Sequence, residues 1–194
     1  MCIRDRTYIV DIDPGAEKRA QEKGHNFICK RIENYVPEIK FDLIIALNLI
    51  EHVNKPTELL QSFSCLLKPD GILLIKTPNT DCLDFKILKN YSWAGLHAPR
   101  HWVLFNRKSF AQSAAKANLQ IKQLNYTQGA YQIAATLSYW LERKFFGENY
   151  ANKKAVNKKV LFKILLFSFA LLEVPRAFFF KTAQMFIILR RQNE

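Results

Sequence analysis

The chain has 194 residues and a formal net charge of +12, enough length for a single domain with a real core. The charge is lopsided, because residues 1–84 hold 11 Lys and Arg against 13 Asp and Glu while residues 85–194 hold 18 against 4, so the second half favours anionic partners. Two expectations follow from the residues: the four cysteines, with no CxxC or other metal spacing, are not a metal set, and Met1–Arg6, without an apolar segment, does not read as a signal peptide.

Met1–Arg6 fits neither strand nor helix and is set apart as a non-native or disordered start, leaving residues 7–194 as the domain. Tyr8–Ile12 reads as a strand. Asp13–Pro14 then opens a helix as N-cap and first helical residue, Gly24 closes it after Lys23, and Asn26–Lys30 is the next strand. Leu43–Leu47 is an apolar run without alternation, which predicts a parallel strand covered on both faces. Leu59, Leu60, Phe63, Leu66 and Leu67 recur at helical spacing behind Pro56, with Asn54 or Lys55 as cap. Lys68–Gly71 turns the chain into a second apolar run, Ile72–Ile75, completing a βαβ unit with a right-handed crossover. Ligands of such sheets sit beyond the carboxyl ends of the strands, which places a site at Asn48–His52 and Lys76–Asn79. Cys29 and Cys65 fall in apolar stretches and are expected in the core as free thiols of a reducing cytoplasm.

Asp81–Leu88 reads as a helix, and Tyr91–Phe105 as a loop rich in rings and polar groups. Asn106 caps a helix reaching Asn118, and Ile121–Tyr126 is a strand that pairs with a final antiparallel strand at Met185–Leu189. Residues 130–183 form a helical insertion between those two strands. Within it Val160–Val174 is apolar nearly all round, yet it falls short of the ~20 residues that cross a bilayer. Such a helix is either a lid over a substrate pocket or an interfacial element, and Lys153, Lys154, Lys158 and Lys159 ahead of it suit peripheral contact of 153–174 with acidic membrane. His97 and His101 have no Cys or carboxylate near them in the chain, so no metal is expected there.

FDLIIALNLIEHV followed by LLKPDGILLIKTPN resembles the fourth and fifth strands of a class I S-adenosylmethionine-dependent methyltransferase. The resemblance implies a Rossmann-like α/β fold, a mostly parallel sheet with a C-terminal antiparallel strand pair. It also implies S-adenosylmethionine as cofactor. Asp11 aligns with the acid that holds the cofactor's ribose hydroxyls, and Ile12, Ile32, Asn48, Leu49 and Glu51 fall at cofactor-facing positions. Members of this subgroup carry an H-x-P-R-H run like His97, Pro99, Arg100 and His101, which with Trp93 would wall the acceptor pocket or simply hydrogen-bond backbone. Two departures stand out. Arg31-Ile32-Glu33 replaces the acid that meets adenine, and no Gly-rich turn precedes Asp11. The expectation is therefore an N-terminally truncated domain lacking its first strand, weak in cofactor binding and inactive alone.

Methyl transfer from a sulfonium needs alignment and removal of a proton from a hydroxyl or amine, which makes His52, His97 and His101 candidates for the base. His52 can equally cap the turn that follows it. The function expected is methyl transfer to a small-molecule or lipid-precursor acceptor in the cytoplasm, with membrane association open. Two other classes stay in view: a basic RNA-binding or RNA-modifying protein, and a non-catalytic membrane-associated module of the same fold. Nucleic acid is disfavoured, because aromatic and basic residues do not interleave as a base-stacking platform requires.

Overall fold

The computed structural model describes residues 6–32, 35, 39–89, 93–127, 129–146, 162–171, 176 and 179–192. Residues 1–5 of the segment set apart above lie outside them. Strand β1 (Tyr8–Asp11) and strand β2 (Asn26–Cys29) pair in parallel, Tyr8 opposite Asn26 and Asp11 opposite Cys29. Asp13 starts the crossover between them by accepting from the Gly15 amide at 2.8 Å. A 3-10 turn with Pro14 at its first position leads into α1 (Glu17–Glu22), and Gly24 ends that helix at φ 79°, a left-handed conformation suited to glycine.

The larger sheet runs β3–β4–β6–β5, from β3 (Phe41–Leu47), β4 (Leu67–Pro78), β5 (Leu119–Thr127) and β6 (Gln184–Arg191). β3 and β4 are parallel, and β6 runs antiparallel to both β4 and β5, as the sequence reading expected for the last two strands. Helix α2 (Pro56–Leu66) makes the crossover, with Pro56 in its first turn where a missing N–H leaves no bond unmade. The Lys68–Gly71 turn differs from expectation. It is looped out inside β4, because the pairing steps from Phe41 opposite Leu67 directly to Leu43 opposite Ile72. Gly71 permits that kink, since a Cβ there would stand 2.9 Å from the Phe41 carbonyl oxygen.

The core lies on one side of this sheet. Leu59, Leu60 and Phe63 of α2 and Phe110 and Ala114 of α4 (Arg107–Lys116) pack against Leu73, Ile75, Ile187 and Leu189. Each fully buried large side chain contributes about 1.5–3 kcal/mol. Asn106 and Ser109 close a reciprocal capping box at the start of α4. The opposite face corrects the expectation of a doubly covered strand: Leu43, Ile45 and Leu47 are 49%, 56% and 52% exposed. The thiols are corrected for a related reason. Cys29 ends the small sheet and Cys65 lies on the outer side of α2, and both are exposed, whereas Cys82 is buried.

The two sheets touch without sharing strand hydrogen bonds among the described residues. Tyr8 at the start of β1 meets Phe41 at the start of β3 edge-on at 5.5 Å, and Ile32 packs against the main core. Between β5 and β6 the chain forms α5 (Ala130–Phe146) and a helical run at 162–171. Phe162 meets Tyr131 of α5 edge-on at 5.5 Å. Arg176 grips Asp84 of α3 (Leu83–Leu88) with two hydrogen bonds of 2.7 and 2.5 Å. The remainder of the expected Val160–Val174 helix, and Lys153, Lys154, Lys158 and Lys159 before it, lie outside the described residues.

Candidate active site

At the carboxyl end of β3 the backbone turns sharply. Asn48 takes φ 50°, a region open to Asn more readily than to branched residues, while its amide still donates to the Lys76 carbonyl at 2.8 Å. A 3-10 turn, Ile50–His52, follows, with Ile50 fully buried as its anchor. That anchor drives Glu51 inward to 1% exposure and leaves His52 facing out.

Glu51 joins three segments. Its carboxylate accepts from Thr77 Oγ1 at 3.0 Å, which ties the tip of β3 to the tip of β4. Its carbonyl accepts from the Trp102 amide at 2.8 Å and from Val103 at 3.4 Å, which draws the ring-rich loop onto the strand tips. Burial pushes the Glu51 carboxyl above the ordinary carboxylate range, opposed by its backbone hydrogen bond, by Thr77 and by the charge of His52.

The loop brings its histidines back to His52. Ring centroids stand 4.7 Å apart for His52 and His101, 5.0 Å for His97 and His101, and 6.5 Å for His52 and His97. His97 holds φ 41°, so two left-handed non-glycine residues, Asn48 and His97, border one site. His52 Nδ1 donates to the Arg100 carbonyl at 3.1 Å, and His101 Nδ1 donates to the Gly95 carbonyl at 2.8 Å. A carbonyl only accepts, so Nδ1 carries the proton in each ring and the lone pair of the neutral imidazole sits on Nε2. His101 is held below the ordinary imidazole range, first by burial and then by the charges of His52 and His97, against the raising effect of its Gly95 bond.

These groups line a cavity of about 690 Å³ together with Asn48, Pro78, Trp93, Gly95, Tyr131, Gln132, Ala135 and Gln184. Trp93 is 1% exposed and meets Phe85 edge-on at 5.2 Å, so that wall is rigid. Of the residues expected at the site, Asn48, Glu51, His52, Trp93, His97 and His101 come together here. Arg100 takes part through its carbonyl while its side chain is exposed, and Leu49 stays off the lining. Asp11, Ile12 and Ile32 lie away from the cavity: Asp11 and Ile12 are exposed at the end of β1, and Ile32 packs on the core. Sequence reasoning missed Gly95, and also Tyr131, Gln132, Ala135 and Gln184, which reach the site from the far part of the chain. Tyr131 and Ala135 are four apart, which aligns them on one helix face, but nothing local says what that face meets. A smaller basic hollow of about 370 Å³, bounded by Lys122, Arg190, Arg191 and Asp70, lies elsewhere and holds none of this chemistry.

Residues 3–124 match the profile of a methyltransferase domain. The ubiquinone biosynthesis O-methyltransferase of Rhodopseudomonas palustris (strain BisB5) is 32% identical over 87 residues, which cover 41% of this chain and 34% of that protein. The protein of the same name from Actinobacillus pleuropneumoniae serotype 5b (strain L20) is 38% identical over 72 residues, 33% of this chain and 31% of its own length. The chain thus spans about a third of the length of the curated relatives it matches. Among solved structures, a putative sarcosine dimethylglycine methyltransferase from Galdieria sulphuraria superposes with a TM-score of 0.59 at 11% identity, covering 95% of this chain and 69% of that one. The N-methyltransferase NodS from Bradyrhizobium japonicum WM9, in complex with S-adenosylhomocysteine, superposes with a TM-score of 0.54 at 11% identity, covering 97% and 67%.

Proposed function

We propose, from the premise that this chain belongs to the class I S-adenosylmethionine-dependent methyltransferase family, that it transfers a methyl group to a hydroxyl of a small-molecule acceptor held in the His52–His101 cavity. The observation that carries the reading is the pair of imidazoles whose Nε2 lone pairs are left free by backbone bonds at Nδ1, beside the strand tips. When bound, S-adenosylmethionine supplies an electrophilic methyl on sulfur, so that the acceptor's O–C bond forms as the C–S bond breaks. The residues present fit that donor on its ribose side. Asp11 is an exposed carboxylate at the end of β1, and among the described residues one of its oxygens is engaged, by the Asp13 amide at 2.9 Å. Arg31 at the end of β2 offers no acceptor for an adenine amino group, so the hold rests on Asp11 and the β3 tip.

The neutral Nε2 of His101 or His52 receives the proton of the acceptor hydroxyl. Burial keeps His101 unprotonated over a wider range than a free imidazole, which suits a base. Trp93 and Tyr131 stand in the cavity wall beside the acceptor position. The test supplies S-adenosylmethionine labelled in its methyl group, at high concentration, together with phenolic, aliphatic hydroxyl and amine acceptors. The expected result is hydroxyl-dependent label transfer that falls about 10²-fold or more in His52→Ala with His101→Ala. Transfer to amines alone, or a rate untouched by the double change, would overturn the reading.

A second reading concerns location. Ile164, Phe167 and Leu171 lie along one side of the 162–171 helix at 58%, 69% and 63% exposure, and Phe179 and Phe180 are 80% and 64% exposed. No helix among the described residues is long and apolar enough to cross a membrane. We infer peripheral contact with an acidic lipid surface, supported by these apolar side chains and by the excess of Lys and Arg after residue 84. Flotation with anionic vesicles, lost in Phe167→Glu and absent with neutral vesicles, is expected. Equal behaviour with both vesicle types would remove the electrostatic part.

A further inference from the structure

Two side chains of the cavity wall hold a polar atom with nothing to bond to. Trp93 is 1% exposed and Gln184 6%, and the indole Nε1 of the first and the carboxamide Oε1 of the second are buried with no hydrogen-bond partner among the described residues. Both side chains line the His52–His101 cavity. A buried donor or acceptor left unmet forfeits the whole cost of its desolvation, so each such group in a folded chain calls for a reason.

Of the two, Gln184 is the one that can turn to a ligand. Trp93 is packed with Cys82 and Ala183 and set edge-on to Phe85, whereas the last torsion of a glutamine is soft. Gln184 opens β6 and, because β6 runs antiparallel, stands at the carboxyl tip of β4 opposite Pro78. Asn79 fixes the backbone just ahead of it: the Asn79 amide donates to the Ala183 carbonyl and its Nδ2 to the Thr182 carbonyl, each at 2.9 Å. Neither strand neighbour relieves the carboxamide, since Pro78 has no polar side-chain atom and Thr127 Oγ1, on the other side, is itself without a partner. Charge narrows what can approach. Among the described residues the lining includes no lysine or arginine, so the chain's net +12 does not reach the cavity and an anionic group would go unmet there.

We propose that Gln184 determines which acceptor this cavity takes: its carboxamide pairs at two points with a carboxamide or lactam borne on the same molecule as the hydroxyl that is methylated. The inference rests on reading this cavity as the acceptor site. The ligand's N–H donates to Gln184 Oε1 while its carbonyl accepts from Gln184 Nε2, a match of one donor and one acceptor on each side. A cavity of about 690 Å³ has room for that group beyond the ring or chain that carries the hydroxyl. Gln184 takes no part in bond making. It selects, because a buried group that needs a hydrogen bond rejects the analogue that cannot supply one.

The experiment gives the full chain three matched phenols, meta-hydroxybenzamide, meta-cresol and meta-hydroxybenzoate, and measures binding by calorimetry and transfer with labelled S-adenosylmethionine. The amide should bind about tenfold or more tighter than the other two, with KM rather than kcat carrying the difference in turnover. In Gln184→Leu that advantage should shrink to about twofold or less, and the variant should melt at or above the wild-type temperature, because it loses a buried polar atom that had no partner. Gln123→Leu, an exposed glutamine of β5 outside the cavity lining, is the control and should keep the wild-type preference. Equal wild-type affinity for the amide and the cresol would overturn the proposal whatever the variant's stability, and so would an amide preference undiminished in Gln184→Leu. Selective binding without label transfer would leave the subsite standing and remove the methyl-transfer reading, and transfer with no preference for the amide would do the reverse.

Discussion

Replacing Gly95 by alanine tests whether the cavity wall is as tightly built as its contacts imply. An added Cβ would stand 2.2, 2.4 and 2.5 Å from Trp93 Cη2, Cζ3 and Cζ2. Carbon contacts settle at about 3.5–4.0 Å, so the indole must withdraw by more than ~1 Å. It has little room, being 1% exposed, packed with Cys82 and Ala183, and set edge-on to Phe85. Overpacking of this kind costs about 1–3 kcal/mol, which for a chain of this length lowers Tm by roughly 2–12 °C. The Gly95 carbonyl also orients His101 at 2.8 Å, so the rate of methyl transfer should fall with stability. Differential scanning calorimetry reads the first effect and the labelled-methyl assay the second. Gly24→Ala meets no heavy atom within 4 Å and pays only for φ +79°, about 1 kcal/mol, which makes it the comparison. Adding Trp93→Phe to Gly95→Ala should recover part of the loss, because phenylalanine lacks the struck benzo ring. A Gly95→Ala variant melting within about 1 °C of wild type would refute the argument from packing.

Other contacts make equally direct predictions. Asp84→Ala should cost about 2–3 kcal/mol by removing the carboxylate that accepts two hydrogen bonds from Arg176 in a largely buried site, and Arg176→Leu in the same chain should recover part of it; additive losses in thermal melts would show the pair to be uncoupled. Burial raises the Cys82 thiol from 9.0 to about 11, so Cys29 and Cys65 should alkylate at pH 8 while Cys82 waits for unfolding. The native state keeps the Cys82 proton between those two values and the unfolded chain loses it, so stability falls as pH rises through that window, by at most about 2–3 kcal/mol, and Cys82→Ala should lack that part of the decline in urea melts.

What was legible in the sequence was whatever a short window decides. The apolar run of β3, Pro56 opening α2, Asn106 capping α4 and the strand after residue 183 all appear where local pattern places them. Coverage of a face was not legible. Leu43, Ile45 and Leu47 look alike in sequence to strand residues covered on both sides, yet helices α2 and α4 cover only the face that carries Ala46. The Lys68–Gly71 loop also escaped, because its placement inside β4 depends on the register with Phe41. At the site the histidines were visible as residue types, while their company was not. The chain order puts no carboxylate near His97 and His101, whereas the fold brings Glu51 beside His52 and His101 through the turn at Ile50–His52.

Glu51 shows why that turn is built as it is. A solvent-facing carboxylate would serve binding at lower cost, but Ile50 must bury to hold the turn, and burying Ile50 carries Glu51 inward with it. Once inside, the carboxylate fastens β4 through Thr77 and its carbonyl fastens the histidine loop through Trp102, so one residue sets the spacing of the strand tips and of His101. Burial disfavours the charged form of this carboxylate, and among the described residues no lysine or arginine pairs with it. Glu51→Gln keeps an oxygen for Thr77 and removes the charge. That variant should therefore melt at or above the wild-type temperature at neutral pH, and the gap should close in acid as the wild-type carboxyl takes up its proton. A variant that melts lower at neutral pH would mean that the contacts of the Glu51 carboxylate outweigh the cost of burying its charge.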